Sequence, residues 1–369
     1  SLNRASNLVK QKEDAGGQTQ DIEQLIRQSF EGKTILITGG LGFIGSNLAH
    51  KLVQLNPKEI ILVDALIEGL GGDLKNIQGI EDKVRVYSGQ EWNIKNLEKI
   101  KPLIQEADFI FNLAGSQKHT QLDKEHLYFD SDLNFTSQTL FLEACRQVMV
   151  ENNDKKLSIV FAGTRDQYGK VPQAELPVRE NYSPQKFTDY QSISKGAAEA
   201  NHFLLQEVLN EQGIDGIKIS SIRMVNTYGP RQSAISGAAV PVFIDKAMKN
   251  ESIELWGGGD VLRDFSYIED LIDALLLLAA SNKTGGQTYN IGCCVESSGN
   301  IANLAGGNFK TIKELAEMIV KIVGTGQIKE IPYPEERKAI EPGHFCSDIS
   351  KILKLGWKPK TSLEDGLKK

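Results

Sequence analysis

Hydrophobic and polar positions follow two alternating patterns along the chain, and their succession predicts an α/β fold. Short continuous apolar runs are typical of strands buried on both faces of a parallel sheet. Such runs predict strands at 33–38, 59–64, 84–87, 107–113, 157–162 and 217–222. Longer runs with helical periodicity predict helices between them at 43–55, about 94–104, about 131–149 and 192–213. This alternation indicates a doubly wound parallel sheet.

The pattern changes after Pro230, where predicted elements shorten and glycine and proline become more frequent. We therefore predict a main sheet domain over 32–230 and a smaller C-terminal α/β domain over 231–369, with some segments returning to the main sheet. The best-marked C-terminal helices are 241–249, 269–281 and 310–324, and the Gly-, Ser- and Asn-rich segment 293–307 is predicted to be a loop.

The first 31 residues precede the predicted sheet and are expected to form a flexible extension. Ser1 to Gln20 is polar and contains glycine, whereas 21–30 fits a short amphipathic helix.

A glycine-rich turn between the first predicted strand and the first helix carries the strongest chemical signal. Gly39, Gly42 and Gly45 follow the apolar strand directly, and Phe43 and Ile44 open the helix. Glycine lets the backbone approach a ligand closely, and the free N–H groups of a helix N-terminus favour a phosphate. This strand, turn and helix together predict a dinucleotide site.

The second predicted strand ends in a carboxylate at Asp64, 19 residues after Gly45. An acid at about this spacing binds the adenosine ribose hydroxyls and repels a 2′-phosphate. The pattern therefore favours NAD over NADP. Two further segments are expected to line the cofactor, Asn93-Ile94 near the adenine and Leu113-Ala114-Gly115 where the backbone passes close to it.

Composition excludes several other classes of protein. The net charge of −6 offers no basic footprint for nucleic acid. The longest apolar run, Leu271 to Ala280, is too short to span a membrane. The four cysteines lack paired zinc spacing and the five histidines form no metal-binding motif, which predicts reduced thiols in the cytoplasm and no catalytic metal.

Several motifs together resemble the extended short-chain dehydrogenases/reductases, in particular the NAD-dependent nucleotide-sugar epimerases and dehydratases, such as UDP-glucose 4-epimerases. The resemblance runs from about Gly32 to Leu367. Its motifs are the glycine turn, Asp64, Asn112 to Gly115, Tyr168-Gly169, Asn226 to Arg231, Arg263 to Tyr267, and Ser347 to Trp357. It implies a Rossmann-type fold, NAD as cofactor and a nucleotide sugar as substrate.

The same resemblance implies a catalytic Ser or Thr, a Tyr and a Lys. In the family the Lys binds the nicotinamide ribose and lowers the pKa of the Tyr, which removes a proton from a sugar hydroxyl. Thr164 and Lys195 match the first and last of these. The Tyr is expected four residues before Lys195, but this chain has Gln191 there. Glutamine has no ionisable proton and cannot act as a general base.

Three hypotheses follow from Gln191. An irregular backbone before Lys195 brings Tyr190 into the site, although one residue on a regular helix rotates a side chain by about 100°. Alternatively another residue such as Asp166 or His119 is the base and Gln191 orients the sugar. In the third hypothesis the protein binds NAD and a sugar nucleotide without turnover.

The residues after Thr164 bear on the reaction. Family dehydratases carry two acids here, whereas this chain has Arg165 and Asp166. An arginine in place of the first acid argues against the elimination of water. Decarboxylases of the group carry an acid near this point, so that decarboxylation remains open.

For the substrate, the resemblance implies that Asn226, Arg231 and Arg263 lie near the diphosphate, a group suited to the planar fork of arginine. A structural ion pair between Arg263 and Asp264 or Glu269 is the alternative. His344 is expected near the ribose or phosphate, or on a surface loop.

The leading prediction is epimerisation through a transient keto sugar. A dehydratase, decarboxylase or dehydrogenase is the enzymatic alternative, and a non-catalytic binding protein is the other. By analogy with the family, helices near 131–149 and 192–213 are expected to form a homodimer interface through Leu140, Phe141, Phe203, Leu204 and Val208.

Overall fold

A computed structural model describes residues 21–116, 124–304, 307–338 and 341–369. Residues 21–30 form the first helix, α1, whose Ile26 and Phe30 are buried in the hydrophobic core. This corrects the expectation of a flexible extension over 1–31, because the apolar side of this helix packs against the rest of the protein. Ser1 to Gln20 lies outside the described residues.

A seven-stranded parallel sheet forms the centre of the protein, in the order β10-β6-β5-β4-β1-β2-β3. This confirms the predicted doubly wound α/β fold. The strands are β1 Thr34–Thr38, β2 Glu59–Asp64, β3 Arg85–Ser88, β4 Phe109–Asn112, β5 Leu157–Thr164, β6 Ile217–Met224 and β10 Gln287–Asn290.

The continuous apolar runs of these strands arise because both faces of the sheet are covered. Ile35 and Ile37 of β1 join the core on one face, whereas Leu36 joins the core on the other. Helices α2 and α8 contribute to the first core, and α3, α5 and α6 to the second. These helices are α2 Phe43–Leu52, α3 Leu97–Glu106, α5 Ser137–Glu151, α6 Tyr190–Glu211 and α8 Ile268–Ala280.

The predicted helix over 131–149 is divided in the structure. It contains the end of α4 (Lys124–Ser131), a π-helical turn at Asp132–Thr136 and α5. The wider turn redirects side chains relative to a continuous α-helix, and such turns often occur at functional sites.

Smaller sheets complete the C-terminal part. Strands β7 Asn226–Tyr228, β9 Leu262–Tyr267 and β13 Phe309–Thr311 form one sheet, and β8 Ser252–Trp256 pairs with β14 Gln327–Ile331. Helices α7 Ala239–Met248, α9 Ile312–Val323, α10 Glu335–Lys338, α11 Ser350–Leu353 and α12 Leu363–Lys368 accompany them. Strand β10 belongs to the main sheet although it follows Pro230, and the domain boundary after residue 230 stays a prediction.

The prediction of a loop over 293–307 was wrong for most of this segment. Strands β11 Cys294–Ser297 and β12 Asn300–Asn303 form an antiparallel hairpin. Ser298 and Gly299 have φ values of 49° and 79°, as a tight two-residue hairpin turn requires. Most residues of both strands are exposed, so they lack the apolar alternation by which a strand is detected from sequence.

Within the described ranges, no helix has both the length and the apolar character needed to cross a membrane.

Candidate active site

Two adjoining cavities lie at the carboxyl ends of the central strands, where open α/β sheets bind ligands. The first, the dinucleotide cleft, has a volume of about 970 Å³ and follows β1, β2 and β4. The second, the side-chain cavity, has a volume of about 800 Å³ and follows β5 and β6. Both are lined by Phe43, Ile44, Leu113, Gly115 and Gln232, so that they open onto each other.

The dinucleotide cleft contains every residue predicted for the cofactor except Lys195. These residues are Gly39, Gly42, Phe43, Ile44, Gly45, Asp64, Asn93, Ile94, Leu113, Ala114 and Gly115. Their roles as cofactor ligands stay predictions, whereas their convergence on one cleft is observed.

The glycines of the cleft leave space that any side chain would fill. Gly39 has a φ of 66°, which L side chains rarely adopt, and a Cβ there would lie 3.1 Å from the backbone nitrogen of Ala114. A Cβ on Gly45 would lie 2.3 Å from the carbonyl oxygen of Gly39. The turn can therefore pack tightly against the first turn of α2 only with glycine at these positions, and the cleft fits a bound dinucleotide phosphate.

Asp64 is fixed by backbone hydrogen bonds. Its Oδ2 accepts from the N–H of Leu41 at 3.1 Å and its Oδ1 from the N–H of Leu66 at 2.9 Å. Burial raises the pKa of Asp64, and these two hydrogen bonds oppose that effect. The carboxylate is thereby held at the end of β2, facing the cleft.

A buried polar network below the cleft holds the end of β4, and no sequence pattern predicted it. Thr38 Oγ1 donates to Asn112 Oδ1 at 2.7 Å and accepts from the N–H groups of Leu113 and Ala114. Gln138 donates to the Ala114 carbonyl at 2.8 Å. These bonds fix the loop along which the cofactor is predicted to lie.

The side-chain cavity brings together Thr164, Asp166, Gln191, Lys195 and Asn226, all of which were predicted as catalytic or substrate-binding residues. Thr164 caps a short 3-10 turn at the end of β5. Its hydroxyl donates to Asp166 Oδ2 at 2.8 Å. Arg165, which was not predicted to bind a ligand, lines the same cavity.

Helix α6 is continuous from Tyr190, and the Asp189 side chain caps it by accepting from the N–H of Ser192. Gln191 and Lys195 are four residues apart on this helix, and both line the cavity. Tyr190 is absent from that lining. The hypothesis of an irregular backbone that brings Tyr190 into the site is therefore wrong. His119, the other alternative base, lies outside the described residues.

Gln191 is buried and its amide is only half satisfied. Its Nε2 donates to the Ser116 carbonyl at 3.2 Å, and because a carbonyl only accepts, this contact sets the orientation of the amide. Among the described residues, Oε1 has no hydrogen-bond partner. A buried polar atom without a partner is uncommon and often marks a site where a ligand binds.

Lys195 lies at the junction of the two cavities. Its Nζ donates to the Ala162 carbonyl at 3.1 Å, and a Cβ on Gly115 would lie only 2.6 Å from Nζ. Burial lowers the pKa of Lys195 to about 8.

A second amide side chain, that of Asn134, also lies near Lys195 where the two cavities meet. The sequence analysis did not predict it as a site residue. Asn134 lies in the π-helical turn and accepts a hydrogen bond from the N–H of Ser116 at 2.8 Å. It also donates to Ser194 at 3.3 Å, which links the turn to α6. No periodicity or motif distinguishes this Asn from an ordinary helical residue.

The predicted diphosphate ligands occupy different surroundings. Asn226 lines the side-chain cavity and donates to the Asp264 carbonyl at 3.0 Å. Arg231 is exposed, lies outside the lining of both cavities and donates to Asn47 Oδ1. His344 lies outside both linings and accepts from the N–H of Leu262 at 3.0 Å.

Arg263 is buried and forms an ion pair with Glu341. The alternative of a structural ion pair is therefore observed, but with a partner other than Asp264 or Glu269. Glu341 is 78 residues away in sequence, and no local spacing indicates such a contact. Glu269 pairs with Lys369 instead.

Asp264 belongs to a separate buried cluster with the cysteines. Cys293 Sγ lies 2.9 Å from Asp264 Oδ1 and 3.8 Å from Cys294 Sγ. The Asp264 carboxylate also accepts from the N–H groups of Cys293 and Ser347, and burial raises its pKa to about 7. All four cysteines are unpaired and buried.

Comparison with known proteins identifies the class of this chain. Residues 35–292 match the model of the NAD dependent epimerase/dehydratase family. The chain therefore belongs to this family of nucleotide-sugar enzymes, and its cofactor is NAD.

Individual relatives span almost the whole chain. A putative UDP-glucose 4-epimerase of Methanocaldococcus jannaschii is 28% identical over 336 residues, which are 91% of this chain and 96% of the relative. UDP-glucuronic acid decarboxylase 1 of Xenopus tropicalis is 28% identical over 347 residues, 91% of this chain and 71% of the relative. The crystal structure of UDP-glucose 4-epimerase from Thermotoga maritima with UDP-glucose matches with a TM-score of 0.72 and 26% identity, covering 91% of this chain and 96% of that one.

Proposed function

We propose that this protein modifies the sugar of a nucleotide sugar by epimerisation through a transient keto sugar. The observation that carries the proposal is the shared wall of the two cavities. A sugar bound in the side-chain cavity would lie beside the reactive end of a cofactor bound in the dinucleotide cleft. Thr164, Gln191 and Lys195 face that sugar position.

The cofactor would be held by the glycine turn, by Asp64 at its adenosine ribose and by Lys195 at its nicotinamide ribose. A bound NAD would supply reversible hydride acceptance at the sugar, so that the cofactor would not be consumed in the overall reaction.

Asp166 is the proposed general base. A sugar hydroxyl that donates to Thr164 Oγ1 can lose its proton to that oxygen while Thr164 passes its own proton to Asp166 Oδ2, 2.8 Å away. Direct contact between Asp166 and the sugar hydroxyl would achieve the same transfer. In this assignment a carboxylate that already accepts a hydrogen bond from the Thr164 hydroxyl takes the place of the absent Tyr.

Gln191 and Lys195 would position the sugar and its cofactor. The free Oε1 of Gln191 can accept from a second sugar hydroxyl, and this contact would satisfy the buried amide. The Lys195 ammonium supplies positive charge beside the site where the alkoxide develops.

Arg165 disfavours the elimination of water, because dehydratases of the family carry an acid at this position. Decarboxylation or dehydrogenation of a nucleotide sugar remains an alternative reaction at the same site. A protein that binds both ligands without turnover is the alternative from another class.

Product analysis tests the proposal. The NAD-loaded protein is incubated with a panel of nucleotide sugars carrying deuterium at the reacting carbons, and products are identified by mass and NMR. Epimerisation leaves the mass unchanged and inverts one stereocentre. A product lighter by one water (about 18 mass units) would indicate a dehydratase, and one lighter by one CO₂ (about 44 mass units) would indicate a decarboxylase. Binding of both ligands without any product would contradict the proposal.

A homodimer is also proposed, with α5 and α6 packed against a second copy. Leu204 and Ile193 on α6 are 54% and 47% exposed, which supports an apolar interface. Phe141, by contrast, is fully buried in the core beneath the sheet and is unavailable for this contact. Leu204→Glu is expected to give a monomer in light scattering, with Lys246→Glu on α7 as a control that leaves the mass unchanged.

A cytoplasmic location is proposed as well. Four unpaired, buried thiols support it, because an oxidising compartment favours disulfides. Localisation of the tagged protein in cells tests this directly.

A further inference from the structure

Arg165 lies deep in the side-chain cavity with its guanidinium almost unused. Its side chain is 8% exposed. Its nearest carboxylate contact is Asp166 Oδ1, 3.5 Å from Nη2, and its guanidinium carbon lies 5.1 Å from the centre of the Phe345 ring. Within the described part of the chain, none of its five N–H groups makes a hydrogen bond that matches the ordinary geometry of arginine.

Two neighbouring arginines, the buried Arg263 and the half-buried Arg223, are engaged differently. Arg263 donates to two backbone carbonyls and to Glu341. Arg223 donates through two nitrogens to both carboxylate oxygens of Glu199 and also to the Glu180 carbonyl. The fold therefore supplies acceptors to the guanidinium groups of both Arg263 and Arg223, whereas Arg165 lacks such acceptors among the described residues.

Asp166 does not fully neutralise Arg165. Asp166 Oδ2 accepts from the Thr164 hydroxyl, and only Oδ1 approaches the guanidinium, at a distance longer than a charge-assisted hydrogen bond. The Phe345 ring lies near the guanidinium carbon and offers no hydrogen-bond acceptor in the plane of the N–H donors. A planar oxyanion that meets the edge of the guanidinium would complete its contacts.

We infer that Arg165 binds a carboxylate carried by the sugar, so that the substrate is a nucleotide-linked uronic acid. The inference rests on the proposed function, because it requires the sugar to occupy the side-chain cavity. Arg165 directly follows Thr164, the residue assigned to a reacting hydroxyl, so its guanidinium is held close to the sugar ring.

Charge also explains why a neutral sugar would bind less well. A neutral hydroxymethyl group would leave the buried guanidinium with only the 3.5 Å contact to Asp166, whereas a carboxylate can form two parallel hydrogen bonds with it. The diphosphate is the other oxyanion of such a substrate. It is disfavoured as the partner of Arg165 because Thr164, Gln191 and Lys195 mark this cavity as the place of the reacting ring.

Binding measurements on the NAD-loaded protein test the inference. First, the affinities of nucleoside diphosphates with each of the five common bases are measured to identify the nucleotide that the protein prefers. Titration calorimetry then compares that nucleoside diphosphate, its glucose derivative, its glucuronic acid derivative and the neutral amide of the latter. We expect the glucuronic acid derivative to bind about 10- to 100-fold more tightly than the glucose derivative and the amide, as for a charged hydrogen-bonded pair.

Arg165→Gln is expected to remove this preference while leaving the affinity for the nucleoside diphosphate unchanged. Arg179→Gln, which changes an exposed arginine paired with Glu296, is the matched control and should retain the preference. If Arg165→Gln unfolds, the comparison of acid and amide on the unchanged protein still decides the question.

Two results would overturn the inference. Equal affinity for the acid, the amide and the glucose derivative would show that no carboxylate is recognised. An equal loss of all ligands, including the nucleoside diphosphate, in Arg165→Gln would assign the guanidinium to the diphosphate instead. Binding of NAD without binding of any nucleotide or nucleotide sugar would instead contradict the proposed function itself.

Discussion

The two cavities are built in different ways, although they share a wall. The dinucleotide cleft is made largely of backbone, with glycines where the chain must pass close to a ligand and Asp64 held by two N–H groups. The side-chain cavity is made of buried polar and charged groups, including Arg165, Asp166, Gln191 and Lys195. We therefore expect the dinucleotide cleft to bind its cofactor mainly through the shape of its backbone, and the side-chain cavity to determine the reaction through its polar and charged side chains.

The side-chain cavity is expected to show the largest effect of a single substitution. Asp166→Asn keeps the size of the side chain but removes the proton acceptor, so kcat should fall about 10²- to 10⁴-fold, the range of general base catalysis. Steady-state kinetics on the active nucleotide sugar, with NAD binding measured in parallel, check this.

NAD affinity should remain within a few-fold of that of the unchanged protein, because Asp166 lies outside the dinucleotide cleft. Asp82→Asn, at an exposed site, is the control. If Asp166→Asn turns over nearly as fast as the unchanged enzyme, the base must be sought elsewhere.

The dinucleotide cleft should respond to a backbone change instead. Gly45→Ala places a methyl group 2.3 Å from the Gly39 carbonyl and forces the turn to move, at a cost of about 1–3 kcal/mol. NAD affinity measured by fluorescence titration should fall about 10- to 100-fold.

Gly196→Ala is the matched control, because a Cβ there meets no atom closer than 4.0 Å. It lies within α6, where alanine is favoured over glycine, so stability should rise slightly and NAD binding should persist. Equal behaviour of the two variants would contradict the close packing inferred for the cleft.

Lys195 joins the two cavities, and its titration should appear in the pH profile. Burial lowers its pKa to about 8, so the charged form is lost as pH rises through that value. Activity that depends on the charge should fall up to about tenfold per pH unit above pH 8 in kcat/KM of the free enzyme.

Lys195→Arg keeps the charge at higher pH because the arginine pKa exceeds 12. Any activity left in this variant should lose the alkaline limb near pH 8. A limb that remains at the same pH would assign it to another group.

The same pKa predicts a stability effect. The pKa is lower in the folded state than in the unfolded state, where it is about 10.4, so folding stability should rise with pH between about 8 and 10.4. Below pH 8 both states are protonated and the desolvation cost of the ammonium is present in full. Lys195→Met should therefore raise the free energy of unfolding at pH 7 by about 1–3 kcal/mol, measured by urea denaturation. An unchanged or lower free energy would contradict this view of an uncompensated buried charge.

The smallest effect is expected at Gln191. Gln191→Met retains the length of the side chain. It removes the unpartnered Oε1, which is favourable, and the hydrogen bond to Ser116, which is unfavourable. The two effects oppose each other, so the free energy of unfolding should change by only about 1 kcal/mol. KM for the nucleotide sugar should rise while NAD affinity remains unchanged. An effect on NAD affinity as large as that on KM would place Gln191 at the cofactor rather than at the sugar.

The sequence alone was sufficient for six of the seven strands of the main sheet, for the glycine turn and for eleven residues that line the dinucleotide cleft, but it did not predict β10. These features depend on local relations, namely apolar runs, a turn that requires glycine and a carboxylate at the end of the next strand. A site formed by contiguous backbone keeps its spacing in the sequence, which is why its residues could be predicted together.

Only the tertiary structure decided the partners of the side chains. Arg263 pairs with Glu341, and across the ranges that the structure describes Arg165 keeps unused donors and Gln191 keeps one oxygen without a partner. Each outcome depends on segments that are far apart in sequence and meet only when the strands end at the same edge of the sheet. Burial then fixes their charges and hydrogen bonds, because buried groups depend on their neighbours rather than on water. The chain thus encodes its cofactor site locally, whereas the chemistry of its sugar site emerges from long-range packing.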